Sequence, residues 1–398
     1  MKRDIWCLVA FRTCRGVAAG LINVAFPYLV LRQLHATPLA LGFLYTAGAF
    51  GTAVIGFVCG FLADALGRKF MLGVLGALLP VSALLVYLST NRWVLFVATF
   101  IGGFSATGSL ASGGVGGAAM PVQSALLADV TSADERTVWF ARFAFLSGLT
   151  GAAGALAARV VPVRPGFLVA CVIAAAGTLA LIPVTPSRPA RELLRLPSLG
   201  TISKFTITGV LNGFSQGLVT PFLIPFFVIV YHLPREQMAV AAALSGLAAS
   251  AAMLGAASLE SALGWVQSII LTRAAGIVLF VLLPLVRVLP VSLAIYMLAP
   301  ALRVIAAPIQ QSVLSEMVLE EERSRALGIN QVARLTSAST GTVLAGYLFH
   351  IAALAAPFYL YAAVAGGNLF VYRLFFGGTG GAGPSARAAA RRAKPTIP

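Results

Sequence analysis

Apolar residues fall in long blocks along this chain, separated by short clusters of charged, proline and glycine residues. Twelve blocks can be traced, at about 5–31, 39–62, 70–89, 93–128, 136–160, 165–184, 205–231, 237–259, 265–286, 289–317, 323–350 and 355–376. A helix rises about 1.5 Å per residue, so about 20 apolar residues cross the hydrocarbon of a bilayer. Each block is long enough, and the pattern predicts an all-α integral membrane protein of twelve transmembrane helices. The connection at 185–204 holds Pro186, Pro189 and Pro197 with Arg188, Arg191, Arg195 and Lys204. It divides the chain into a six-helix bundle over 1–184 and a second over 205–376. Residues 377–398 read as a Gly-rich and then basic tail.

Composition removes the alternatives. Only 10% of residues are charged, 59% are hydrophobic and the mean hydropathy is +0.93. A soluble chain carries roughly 25% charged residues, and a disordered one is poor in apolar residues. The net charge of +16 is not gathered on one soluble domain, so no nucleic-acid partner is expected. Cys7, Cys14, Cys59 and Cys171 lie in or beside apolar blocks and form no disulfide framework.

The basic residues orient the chain. Lys2, Arg3, Arg68, Lys69, Arg136, Arg188, Arg191, Arg195, Lys204, Arg323, Arg325, Arg373, Arg387, Arg391, Arg392 and Lys394 share one side. Arg32, Arg92, Arg159, Arg164, Arg235 and Arg287 share the other. Sixteen against six places both termini in the cytoplasm of a multi-pass cell-membrane protein. The start, Met1-Lys2-Arg3-Asp4, leads into the first block without a small-residue cleavage pattern, so the first helix is expected to be retained.

The halves repeat. One constant shift along the sequence brings Pro121 onto Pro308, Gln123 onto Gln310, Asp129 onto Glu316, Arg136 onto Arg323 and Gly154 onto Gly341. Each copy reads as the end of an apolar helix, an acidic residue, a short acidic loop and an Arg opening the next helix. Such repeats are how transporters build a site between two halves. A chance likeness of two helix connections is the competing explanation.

The sharpest motif is Gly60-Phe-Leu-Ala-Asp64-Ala-Leu-Gly67-Arg68-Lys69, after the second block. Gly60 allows close helix packing and Gly67 a tight turn, while Arg68 and Lys69 hold the cytoplasmic side. Here the chain resembles the major facilitator superfamily, whose signature in this loop is Gly-x-x-x-Asp-x-x-Gly-Arg-Arg/Lys. The resemblance covers essentially the whole chain. It implies two six-helix pseudo-repeats around a central cavity, helices 1, 4, 7 and 10 lining it, and secondary transport by alternating access. It also implies that Asp64 braces helix 11, that Arg68 braces Asp129, and that Asp129, Arg136, Glu316 and Arg323 complete a cytoplasmic gate. The matching loop near Glu260 and Gly264 lacks the basic pair, which predicts an asymmetric gate. A purely topogenic role for these charges is the competing explanation.

Charge inside a membrane is expensive and commonly functional. Arg303 sits mid-block in helix 10, and Arg15 lies about one turn beyond Arg12 in helix 1. Two readings stand for each: presentation of positive charge to an anionic or electron-rich substrate, or snorkelling and bonding to helix groups. Arg142, Arg273 and Arg334 lie nearer the cytoplasmic ends and read as snorkelling. No carboxylate falls at mid-membrane, which leaves a proton or other coupling ion without an obvious carrier. Asn23, Gln123, Asn212, Gln216 and Gln310 add a polar lining, with helix-to-helix bonding as the alternative; Gln123 is expected to face Gln310. The run Gly113–Gly117 should let helix 4 bend.

There is no phosphate loop, metal-ligand cluster or catalytic constellation, so neither an enzyme nor a cofactor is expected. The partners expected are a small-molecule substrate and the lipid bilayer, with the chain a monomer. The reading is a secondary transporter exporting small organic molecules, with Phe214, Phe222, Phe226 and Phe227 suiting amphipathic substrates. A permease for an anionic metabolite is the first alternative, and a non-transporting receptor or scaffold the second. Drug/proton antiporters of the family carry Gly-Pro in helix 5, where this chain has Ser147 to Gly154 without proline.

Overall fold

The computed structural model describes residues 2–105, 115–131, 133–185, 199–318 and 323–377; the side chains of Asp64, Arg136, Glu316 and Arg323 lie outside what it describes. Every regular element among the described residues is helical. The first half comprises α1 (Lys2–Tyr28), α2 (Pro38–Leu66), α3 (Arg68–Leu88), α4 (Arg92–Gly102), α5 (Met120–Val130), α6 (Ala133–Ala157) and α7 (Val163–Leu179). The second comprises α8 (Leu199–Val219), α9 (Leu223–Val230), α10 (Arg235–Leu254), α11 (Ala256–Leu263), α12 (Trp265–Leu282), α13 (Leu289–Met317), α14 (Arg323–His350) and α15 (Ala356–Phe376). Three pairs are single membrane segments in two pieces: α4 with α5, α8 with α9, and α10 with α11. The chain therefore forms twelve transmembrane helices, and among the described residues seven are long and apolar enough to cross a membrane by length and composition alone.

Local chemistry marks the helix ends. Thr37 caps α2, its hydroxyl accepting from Ala40 N at 3.2 Å, and Pro38 follows at the first helical position. Asn91 caps α4 through Trp93 N at 2.9 Å. Gly67 and Gly264 sit between consecutive helices with φ of 99° and 78°, a conformation that excludes most side chains. Apolar side chains such as Phe43, Phe57, Phe96, Leu149, Val278 and Phe370 are exposed on the outer faces, where lipid rather than water surrounds them.

Within the first half α1 packs on α6 and α7, and α3 on α4 and α7. Within the second, α8 packs on α14 and α15, and α13 on α10 and α12. The halves meet along α2 with α14 and α6 with α10. Glycines explain how closely two of these helix pairs approach. A Cβ on Gly20 would strike the backbone of Gly151, and one on Gly154 the backbone of Val17, locking α1 against α6. In the second half a Cβ on Gly217 would strike Ala338 and one on Gly341 would strike Phe214, locking α8 against α14. Small residues at such crossings let backbones touch, which is how packing replaces the hydrophobic effect between helices in lipid.

These contacts extend the repeat. The shift that carries Gly154 onto Gly341 also carries Val130 onto Met317, the last residues of α5 and α13. A second, larger shift relates Gly20 to Gly217, Gly67 to Gly264, and His35 to His232, two loop histidines with φ of 47° and 51°. The change from one shift to the other falls inside one segment. Arg92 and Leu289, which start their helices, are related by the larger shift, whereas Val130 and Met317 at the far ends are related by the smaller. The fourth segment is therefore longer than the tenth by the difference between the two.

That excess corrects the expectation of one continuous helix over 93–128. The helix stops at Gly103, which is left-handed at φ 60°, and resumes after Gly116 at φ 78°. Gly116 N donates to Gly103 O at 3.2 Å, so the chain returns to where it left. Most of the excursion, 106–114, lies outside the described residues, and with it Thr107, Ser109, Ser112, Gly113 and Gly114.

Candidate functional site

A cavity of about 70 Å³ lies between the halves near the membrane centre. Its polar lining comes from Asn23 on α1, Tyr45 on α2, Thr220 at the α8–α9 joint, Ser245 on α10, and Tyr296 and Arg303 on α13. It has room for one or two water molecules, each taking about 30 Å³. The segment carrying Thr220 is helical on both sides but tightens to a short 3₁₀ turn at Thr220–Phe222, where Pro221 interrupts it. That turn aims Thr220 inward, and its hydroxyl has no partner among the described groups.

Arg303 supplies the charge. It is the fifteenth residue of the 29-residue α13, halfway across the membrane, and only 9% exposed. Its Nη1 is buried without a partner among the described residues. Holding an arginine at this depth costs about 2.5–3.5 kcal/mol even on insertion scales, and an unmet N–H adds to that.

The other predicted cavity residues are placed differently. Asn23 lines the same cavity. Arg15 does not: its Nη2 donates to the Gly116 carbonyl at the break in the fourth segment, and its guanidinium lies 5.7 Å from the Phe11 ring centroid. Gln123 and Gln310 do not face each other; each is turned to an arginine of its own half. Arg12 Nη1 donates to Gln123 Oε1 at 3.3 Å, and Arg273 Nη2 to Gln310 Oε1 at 2.8 Å. Gln216 accepts from Arg334 Nη1 at 2.9 Å, tying α8 to α14, while Asn212 is half-buried one turn before it. Arg273 and Arg334 do not snorkel: they bond glutamines inside the second half, and Arg273 is only 7% exposed.

The loop motif divides in the same way. Arg68 Nη1 meets Asp129 Oδ1 at 2.7 Å, the brace the resemblance implied, and Lys69 donates to the Ile182 carbonyl at 2.8 Å. Gly67 makes the turn, but Gly60 is not a close-packing point, because a Cβ there would meet nothing within 4 Å. In the repeat-related loop Trp265 stands where Arg68 does, with ring centroids 6.1 Å from Tyr372 and 5.3 Å from Phe376. One loop is held by charge and the other by aromatic packing. The contacts assigned to Asp64, Arg136, Glu316 and Arg323 fall outside the described side chains.

On the face away from the termini, the halves are bonded together. Tyr28 Oη donates to Leu233 O at 2.8 Å and Arg32 Nη2 to Val228 O at 3.0 Å. In the reverse direction Arg235 Nη1 donates to Val161 O at 2.6 Å. Deeper in, Thr46 Oγ1 donates to Ser339 O at 3.1 Å. These bonds hold the halves together on the face opposite the termini.

Three of the four phenylalanines expected to greet an amphipathic substrate pack in the core, while Phe214 is half-buried. Phe222, Phe226 and Phe227 are at most 3% exposed and pack on Phe349, Phe358 and Tyr296. Sequence reading missed Tyr45, Thr220, Ser245 and Tyr296. A hydroxyl recurring in otherwise apolar blocks was the available signal.

The structure can be set beside known proteins. It superposes on a variant of the nucleoside transporter NupG with a TM-score of 0.77 at 11% identity, covering 94% of this chain and 99% of that one. A bacterial homolog of the human lysosomal transporter Spinster, inward-facing and occupied, gives 0.74 at 13% identity over 93% and 95%. The human organic anion transporter MFSD10 gives 0.70 at 15% identity over 93% and 99%. No curated protein matches the sequence. The sequence profile of the Major Facilitator Superfamily matches residues 8–307. With twelve helices in two repeated halves about a central cavity, the chain belongs to that superfamily of transporters.

Proposed function

We propose that this chain is a secondary transporter for a small organic anion, working by alternating access with Arg303 as the charge that holds the substrate. The observation that carries this is the unmet Nη1 of a buried arginine at mid-membrane, lining a cavity between the halves. Thr220, Asn23 and Ser245 offer further polar groups at the same depth, and no described carboxylate neutralises the guanidinium. Rocking of one half against the other about α2–α14 and α6–α10 would open the cavity to alternate faces. Charge asymmetry supports cytoplasmic termini in a cell-membrane protein, and on that reading the bonded face is the outer one. Export of lipophilic drugs has less support, because the aromatic side chains of the seventh segment pack into the core.

The test is thermal unfolding of purified protein in detergent with organic anions, lipophilic cations and neutral amphiphiles. Anions should raise the melting temperature, and Arg303→Gln should remove that rise. A charge-assisted contact is worth about 1.5–3 kcal/mol, or roughly 10- to 100-fold in affinity. Stabilisation by cations or neutral amphiphiles, equal in both forms, would overturn the anion assignment. Counterflow in proteoliposomes then reads transport itself, and its absence for every bound anion would leave a receptor.

A further inference from the structure

Arg303 puts a positive charge halfway along a membrane segment, and the sequence puts no negative one at that depth. The chain has twelve acidic residues. Asp4, Asp134, Glu135 and Glu236 stand in the first turns of α1, α6 and α10, and Asp64, Asp129, Glu260 and Glu316 in the last turns of α2, α5, α11 and α13. Glu192, Glu320, Glu321 and Glu322 fall between helices in the sequence. Glu316, on the same helix as Arg303, is about 20 Å away along its axis. Arg273 and Arg334 lie within electrostatic reach of Arg303 and share its sign. The cavity has room for one or two water molecules, and water meets an N–H without cancelling the charge that carries it.

On the reading of the chain as an anion carrier, on which this rests, we propose that it is an obligate exchanger. Its halves change faces with an anion on Arg303 and stay as they are when the cavity is empty. Passing from one open face to the other requires a state sealed on both. With a monovalent anion bound, that state encloses a neutral pair. Without one it encloses a bare guanidinium, and the cost of an arginine at a helix centre slows the passage by on the order of 100-fold. A carboxylate at the same depth would let the empty form through by pairing with Arg303, and none of the twelve is placed there. Each anion carried one way is therefore matched by an anion carried the other way.

The experiment uses the full chain in liposomes loaded, in separate batches, with the potassium salt of carbon-14-labelled methanesulfonate, lactate or succinate. Valinomycin lets potassium follow, so no voltage opposes efflux. The liposomes are diluted into iso-osmotic sucrose, or into sucrose partly replaced by the choline salt of the same unlabelled anion, which keeps the potassium gradient equal. Efflux toward the unlabelled anion should be about 100-fold faster. Equal rates into the two media would overturn exchange and leave anion transport standing. No protein-dependent efflux of any of the three, into either medium, would overturn the anion reading and exchange with it. Arg303→Gln, loaded at higher concentration to offset weaker binding, should bring the two rates together, because a neutral side chain can be sealed in empty. A transporting Arg303→Gln that keeps the full preference would overturn the role of this charge, and if the variant carries nothing the ratio in the unaltered protein decides.

Discussion

The fourth and tenth membrane segments are repeats of each other that solve the same burial problem differently. The tenth, α13, runs unbroken from Leu289 to Met317, while the fourth breaks between Gly103 and Gly116 to admit its extra residues. The break would leave helix carbonyls without donors in a dry interior, and Arg15 supplies one by bonding Gly116 O. In the unbroken segment Pro300 frees the Tyr296 carbonyl, which Ser245 Oγ meets at 3.3 Å from α10, and Arg303 keeps an N–H unmet among the described residues. Arg15 is 8% exposed and Arg303 9%, so burial does not separate a charge that meets a carbonyl from one left unmet. The partner does.

The strongest way to break the comparison lies at the glycine crossings. Gly154→Val and Gly341→Val each drive a side chain into a backbone of the partner helix. Overpacking a core that can relax costs about 1–3 kcal/mol, and a backbone contact cannot relax. Both variants should be lost from the folded peak in size-exclusion chromatography; a folded Gly341→Val beside an unfolded Gly154→Val would show that the two crossings are not equivalent. Next in size is Trp265→Ala, expected to destabilise by about 3–5 kcal/mol because Trp265 is 2% exposed between Tyr372 and Phe376. Arg15→Gln comes third. Leaving the Gly116 carbonyl short of its donor should cost about 1–3 kcal/mol, whereas Arg303→Gln should leave the melting temperature level or higher. Equal losses in the two would erase the distinction between them. Smallest is Arg68→Gln, at most about 1 kcal/mol, since Arg68 and Asp129 are 26% and 31% exposed. Its effect should shrink as salt rises.

Span number, membrane setting and the half-repeat could be read from apolar blocks, because bilayer thickness fixes the length of a crossing helix. The excess in the fourth segment could not. Ala, Gly and Ser around the break are apolar enough to read as more helix, and a single shift aligns helices 4–6 with 10–12 while leaving helices 1–3 out of register. Gly67 and its φ were legible as a turn between charged neighbours. Gly60 was assigned a packing role on residue type alone, and packing depends on what the partner helix presents. Arg273 was placed by its distance from a loop, but the direction of its side chain is set by Gln310, 37 residues away. Phe222, Phe226 and Phe227 failed for the same reason, since an aromatic in a helix is a core residue until a cavity is shown beside it.

The closure opposite the termini has an unequal mutational footprint. Tyr28, Arg32 and Arg235 all donate to main-chain carbonyls, of Leu233, Val228 and Val161. Main-chain oxygens are present whatever side chain the residue bears. As acceptors those positions need no particular side chain, yet Val228 and Leu233 are each 2% exposed and held apolar by core packing, so a saturation-mutagenesis map of this face would require polarity at the three donors and only apolar bulk at their buried acceptors.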